Sequence, residues 1–145
     1  MNKTRVFIVD DEAGFTRLVK LTLERSGAYE VLEENDASQA WLAARSFKPD
    51  IIFLDIVMPR MDGGEVAQQV RSDPMLAGVP IIFLTAIVSQ LESQNHLGGF
   101  PFLSKPVSVA AITRCIEEHV VRQPVEEAAG ESGGEAGADD GKEAG

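Results

Sequence analysis

Cysteine is nearly absent from this chain: among 145 residues there is one, Cys115. A single thiol excludes an internal disulfide framework and suits a reducing compartment. It reads as a small core residue. Histidine is almost as scarce, with only His96 and His119. With the one thiol they are too few to build a nitrogen–sulfur metal site. Long apolar runs are missing too. None approaches the roughly 20 residues that a membrane-spanning helix needs. Val6–Val9, behind Lys3 and Arg5, is too short for the apolar part of a signal peptide and runs into acids. Positive charge is in deficit: 13 basic residues face 23 acidic ones, a net of −10. That argues against direct binding to nucleic acid or to an anionic membrane. The expected setting is the cytoplasm.

The charge deficit is uneven. Seven of the acids and a single lysine lie between Pro124 and Gly145, where large apolar side chains are almost lacking. Such a stretch cannot offset its ordering entropy by burial, so residues 123–145 are expected to be a disordered acidic tail. The remainder is long enough for one domain with a sizeable core.

That remainder alternates between two periodicities. Val6–Val9, Ile51–Leu54 and Ile81–Leu84 are continuous apolar runs of the kind found in strands buried on both faces. Tyr29–Leu32 is less apolar and reads as an edge strand. Phe100–Leu103 is interrupted by Pro101, which also places it at an edge. Between the strands the spacing turns helical. Phe15, Leu18, Val19 and Leu23 share one face, and Ser26-Gly27 ends that helix. Asp36 caps the next, with Gln39 placed to close a capping box. Ala40, Trp41, Ala44 and Phe47 form its apolar face, and Trp41 reads as core rather than as a ligand platform. Asp62 and Glu65 form a second capping box. A weak, polar helix is expected over 87–97, ended by Gly98-Gly99. Ser108 caps a last helix carrying Ile112, Cys115, Ile116 and Val120. Five strands alternating with five helices require parallel pairing and right-handed crossovers. The fold class is therefore α/β, a doubly wound sheet with helices on both faces.

The distinctive polar residues fall at the C-terminal ends of the strands. Asp10, Asp11 and Glu12 follow the first strand, Asp55 the third, Thr85 the fourth and Lys105 the fifth. In a parallel sheet these ends form one rim, where open α/β sheets bind ligands. If the first and third strands are neighbours, the carboxylates crowd. Two of them about 4 Å apart repel by roughly 4 kcal/mol at a surface-like dielectric. The site must then hold a proton, a basic side chain or a cation. All-oxygen donors without His or Cys point to Mg2+ or a similar hard ion. A cation, the Lys105 ammonium and the Thr85 hydroxyl aimed at one point suit a phosphoryl group, and a carboxylate there can be its nucleophilic acceptor.

The set Asp10-Asp11-Glu12, Leu54-Asp55-Ile56-Val57-Met58-Pro59, Met61-Asp62-Gly63, Leu84-Thr85-Ala86 and Phe102-Leu103-Ser104-Lys105-Pro106 resembles the receiver domain of two-component response regulators. The resemblance covers residues 4–122 and implies a flavodoxin-like five-stranded sheet in the order 2-1-3-4-5. It implies that Asp55 accepts a phosphoryl group from a sensor histidine kinase or phosphotransfer protein. It implies that Asp11, Asp55 and the backbone carbonyl of Val57 hold Mg2+, with Asp10 bound through water. By the same resemblance Lys105 pairs with the phosphoryl oxygens, Lys105–Pro106 is cis, and Thr85 and Phe102 move on phosphorylation. The moving face is the fourth helix, fifth strand and fifth helix, offered to a downstream protein target or to a second copy in a dimer. Such a protein is a signalling switch that catalyses only its own phosphorylation and dephosphorylation.

Two departures from the family pattern stand out. The stretch from Thr85 to Lys105 is slightly short, and Leu97–Pro101 lacks the usual acidic approach to the fifth strand. Val57 and Ile87 beside the acceptor are apolar and cannot orient an attacking water, so slow loss of the phosphoryl group is expected. The leading reading is a stand-alone receiver. The alternatives are a Mg2+-dependent phosphatase with an aspartyl-phosphate intermediate, like the haloacid dehalogenase group, and a phosphate shuttle or scaffold that does not switch. The phosphatase group places Asp-x-Asp after its first strand, whereas here Asp10 and Asp11 are adjacent and Val57 stands two places after Asp55. A flavin-binding reading lacks a phosphate loop after the first strand.

Overall fold

Continuous apolar runs can be satisfied only by layers on both faces, and that is how the chain folds. The computed structural model describes residues 2–86, 96–97 and 99–120. Its strands are β1 (Thr4–Val9), β2 (Tyr29–Glu34), β3 (Ile51–Asp55), β4 (Ile81–Thr85), β5 (His96–Leu97) and β6 (Phe100–Ser104). Its helices are α1 (Ala13–Arg25), α2 (Ala37–Phe47), α3 (Gly63–Ser72) and α4 (Val109–His119). The strands form one sheet in the order β2-β1-β3-β4-β6-β5. The pairings β1–β2, β1–β3, β3–β4 and β4–β6 are all parallel. These five strands have the predicted 2-1-3-4-5 order, with β2 at the predicted edge.

Strand residues alternate between two cores. Phe7, Val9, Ile52, Leu54, Ile81 and Phe83 face α2 and α3. Val6, Ile8, Ile51, Phe53, Ile82 and Leu84 face α1 and α4. Each fully buried side chain of this size contributes about 1.5–3 kcal/mol, so both helix layers are pinned by the central strands. Trp41 packs at the edge of the α2–α3 core and donates its indole N–H to Asp73 Oδ2 at 2.9 Å, as a core residue should.

Among the described helices, α2, α3 and α4 start with a side-chain cap, and one cap differs from expectation. Asp62 accepts the Glu65 N–H while Glu65 accepts the Asp62 N–H, completing the predicted box. Ser108 accepts the Ala111 N–H. Asp36 caps α2 through Ser38, but the Asp36 N–H goes to Glu34 Oε2 at 3.0 Å rather than to Gln39. The preceding strand brings that carboxylate closer than the helix brings Gln39.

The helix expected over 87–97 mostly lies outside the described residues, as do Ile87 and the 123–145 tail. Its last two positions are corrected. His96 and Leu97 form β5, antiparallel to β6, with His96 opposite Pro101 and Leu97 opposite Phe100. Gly99, at φ +87, makes the turn. This short strand covers the edge where Pro101 offers no N–H for a ladder.

Candidate functional site

The parallel register delivers the polar rim. Val9 pairs with Leu54, Asp55 with Leu84 and Thr85 with Ser104. Asp10, Asp55, Thr85 and Lys105 therefore lie side by side at the C-terminal ends of β1, β3, β4 and β6. The ladder extends past the strands: the Lys105 N–H reaches the Thr85 carbonyl at 2.7 Å. The Lys105–Pro106 peptide is cis.

Asp10 is fully buried, Asp55 is 5% exposed, and Asp11 is exposed at the mouth. One carboxylate oxygen from each lies within 4.8 Å of the others. The Lys105 ammonium sits 2.8 Å from Asp10 Oδ2 and 3.4 Å from Asp55 Oδ1, with Glu12 Oε1 at 3.7 Å. One cation thus serves three acids. Burial, then repulsion from Asp10, push the Asp55 carboxyl up to about 6, although Lys105 and a backbone hydrogen bond from Val57 pull the other way. For Lys105, burial works against its charge, but the neighbouring Asp10 and then Asp55 outweigh it and hold the ammonium above its ordinary value.

This arrangement fits a hard divalent cation. The donor set is all oxygen, in short supply of positive charge, and Asp10 Oδ2 is buried against the Lys105 ammonium at 2.8 Å. Such an ion is held by a few carboxylates, keeps several waters and takes phosphoryl oxygens as further ligands. A cavity of about 330 Å3 opens over the acids, lined by Asp11, Glu12, Asp55, Val57, Thr85, Ala86 and Lys105. Thr85 is buried in its wall and Val57 is exposed at its rim. Phe102 is not in that lining. It lies opposite Phe83 on β6 and packs against the α2–α3 core.

Sequence reasoning gave no role to two residues that shape this site. Gly63 opens α3 with its N–H on the Ile56 carbonyl at 2.8 Å. A Cβ there would collide with the Asp55 carbonyl and come within 2.9 Å of Ile56 Cα. The Gly63-Gly64 pair at a helix start was the available signal, but which glycine mattered depends on how α3 meets β3. Asn35, just past β2, donates to the Asp10 carbonyl at 2.7 Å. Nothing in the local sequence marks it.

Residues 6–117 match the response regulator receiver domain family. The chain belongs to that family. The receiver is similar to the alkaline phosphatase synthesis transcriptional regulatory protein PhoP of Bacillus subtilis, 37% identical over 110 residues, which are 74% of this chain and 44% of the relative. It therefore spans less than half the length of that relative. The chemotaxis protein CheY4 of Vibrio cholerae superposes with a TM-score of 0.72 at 28% identity, covering 82% of this chain and all of the other. The receiver domain of sensor histidine kinase PA1611 from Pseudomonas aeruginosa, with a magnesium ion coordinated in its active-site cleft, gives 0.68 at 28% identity, covering 81% and 98%. Receiver domains take phosphate from histidine kinases and bind Mg2+ at an acidic pocket, and Asp10, Asp11 and Asp55 form such a pocket here. The family is a signalling switch rather than a turnover enzyme. Among the described residues no helix is long and apolar enough to cross a membrane.

Proposed function

We propose that this receiver takes its phosphoryl group on Asp55, from a sensor histidine kinase or a phosphotransfer protein, and thereby switches a protein partner. The observation that carries the proposal is the clustering of Asp10, Asp11 and Asp55 with Lys105 in contact with two of them. An Asp55 oxygen attacks phosphorus while the bond from phosphorus to the donor breaks and the donor keeps the electron pair. With its carboxyl near 6, Asp55 is mostly ionised at neutral pH and able to attack. Lys105 neutralises an oxygen of the transferring group, and the Thr85 hydroxyl stands at the cavity wall to donate to another. Bound Mg2+ supplies positive charge against the same oxygens. Asp11 and Asp55, with the Val57 carbonyl, would hold it directly, and Asp10 through water.

The response would reach a partner through Thr85, Phe102, β6 and α4, together with the segment between β4 and β5. A dimer is one outcome of that switch, and a separate protein target is the other. The receiver unit is taken as residues 4–122, with 123–145 as an acidic tail. The net charge of −10 over the whole chain supports a protein that makes no direct contact with nucleic acid, and the cytoplasm is its proposed place of work.

The test is intact mass after incubation with Mg2+ and acetyl phosphate, for wild type and Asp55→Asn. A gain of one phosphoryl group that needs Mg2+ and disappears in the variant is expected. A gain that persists in Asp55→Asn, or none where Mg2+ is shown to bind, would overturn the assignment.

A further inference from the structure

A chain of polar contacts runs from the surface of α1 to the backbone behind the acidic pocket. Arg17 Nε donates to Glu33 Oε2 at 2.6 Å. The hydroxyl of Thr16, a fully buried residue, donates to Glu33 Oε1 at 2.8 Å. Asn35 Nδ2 donates both to Thr16 Oγ1 at 2.9 Å and to the Asp10 carbonyl at 2.7 Å. That carbonyl belongs to the peptide joining Asp10 to Asp11. From this geometry we propose that Asn35 is a positioning residue, which with Thr16 and Glu33 fixes the Asp10–Asp11 peptide so that both carboxylates face the cation site.

The physical need is specific. β1 ends at Val9, so beyond it the ladder no longer orients the backbone. Asp10 retains one strand-like contact, its N–H to the Glu34 carbonyl at 3.2 Å, and its Oδ1 accepts the Glu12 N–H at 2.9 Å. Neither contact fixes the carbonyl of the following peptide. With Asn35 removed, that peptide is free to rotate and carries Asp11 with it. Asp10, Asp11, Glu12 and Asp55 crowd the pocket against Lys105, so repulsion drives Asp11 outward when the carbonyl is released. The clamp is itself held. Thr16 cannot turn away without leaving Glu33, and Glu33 is fixed by Arg17. Outer-shell hydrogen bonds of this kind typically change metal affinity by about 10–100-fold when lost.

The inference rests on the reading of the pocket as a Mg2+ site, and the experiment separates the two. Mg2+ affinity is measured by isothermal titration calorimetry on the full chain for wild type, Asn35→Ala, Thr16→Val and the double variant. Hydrogen exchange of the Glu12 amide is followed without Mg2+. Trp41→Phe, which loses a hydrogen bond to Asp73 at the end of α3, is the control for general destabilisation. Asn35→Ala is expected to weaken Mg2+ binding roughly tenfold and to speed Glu12 exchange. Thr16→Val, nearly isosteric and usable should Asn35→Ala not fold, is expected to move both in the same direction by less. The double variant should be no worse than Asn35→Ala alone, and Trp41→Phe should leave the affinity unchanged. Wild type that fails to bind Mg2+ refutes the site and this inference with it. Wild type that binds, with variants within twofold of it or with an equal loss in Trp41→Phe, refutes the positioning role alone.

Discussion

Replacing Asp55 by asparagine should make the metal-free protein more stable, although it removes the proposed phosphoacceptor. Folding raises the Asp55 carboxyl from 3.8 to about 6 through burial and the nearby Asp10 charge. A group whose acidity is weakened by folding binds its proton more tightly in the native state. Stability is then greatest below the unfolded value and is lost as pH rises from about 4 through about 6. Above that window the ionised carboxylate costs about 3 kcal/mol. The substituted amide is a neutral near-isostere, and Lys105 would keep its 2.8 Å contact with Asp10. Asp55→Asn should therefore melt roughly 10 °C higher than wild type at pH 8. The difference should vanish near pH 4, where wild type is protonated. It should also shrink in millimolar Mg2+, which would bind the wild-type carboxylate on the proposal above. Thermal denaturation by circular dichroism at pH 4, 6 and 8, with EDTA or Mg2+, measures this. Equal melting temperatures at pH 8 in EDTA, or a less stable variant, would show that Lys105 fully satisfies Asp55 and that the crowding described above is absent.

The other predictions concern neighbouring parts of the site. Lys105→Met should leave Asp10 and Asp55 without their cation and destabilise the metal-free domain by roughly 3 kcal/mol in urea, and Mg2+ should restore part of the loss. Because folding raises the Lys105 ammonium above its ordinary 10.5, its contribution is fully present at neutral pH and is lost only as pH climbs past that value. Gly63→Ala should cost about 1–3 kcal/mol, read by urea denaturation, and slow phosphorylation, because the added methyl meets the Asp55 carbonyl. An unchanged midpoint would mean that α3 can shift freely away from β3. The apolar, exposed Val57 at the cavity rim should make the phosphorylated form long-lived, and Val57→Asn should shorten its lifetime several-fold. A wild-type half-life of seconds in Mg2+, followed by mass spectrometry, would contradict that.

The strands, most helix ends and the polar rim were legible in the linear chain because each depends on neighbours a few residues away. Val6–Val9, Ile51–Leu54 and Ile81–Leu84 are apolar on both faces whatever the topology. Asp62, Glu65 and Ser108 cap helices that begin within three residues of them. The Asp36 box failed for the same reason in reverse. Its N–H had a competitor, Glu34, whose reach depends on how β2 leaves the sheet. The two-residue β5 was hidden among polar residues and is defined only by its pairing with β6.

By itself, then, the sequence determined which residues are strand ends, that acids, a hydroxyl and a lysine occupy them, and that the carboxylates need a cation if they meet. Their meeting was decided by the tertiary structure. The pairing of β1 with β3 brings Asp10 beside Asp55 from a distant part of the chain, and the β4–β6 pairing brings Lys105 over both. The packing of α3 on β3 selects Gly63 over Gly64 as the close approach, and the β1–β2 pairing puts Asn35 against the Asp10 carbonyl. Local periodicity records what a residue wants buried or capped. A contact between distant segments depends on how whole layers pack, and no window of neighbouring residues carries that information.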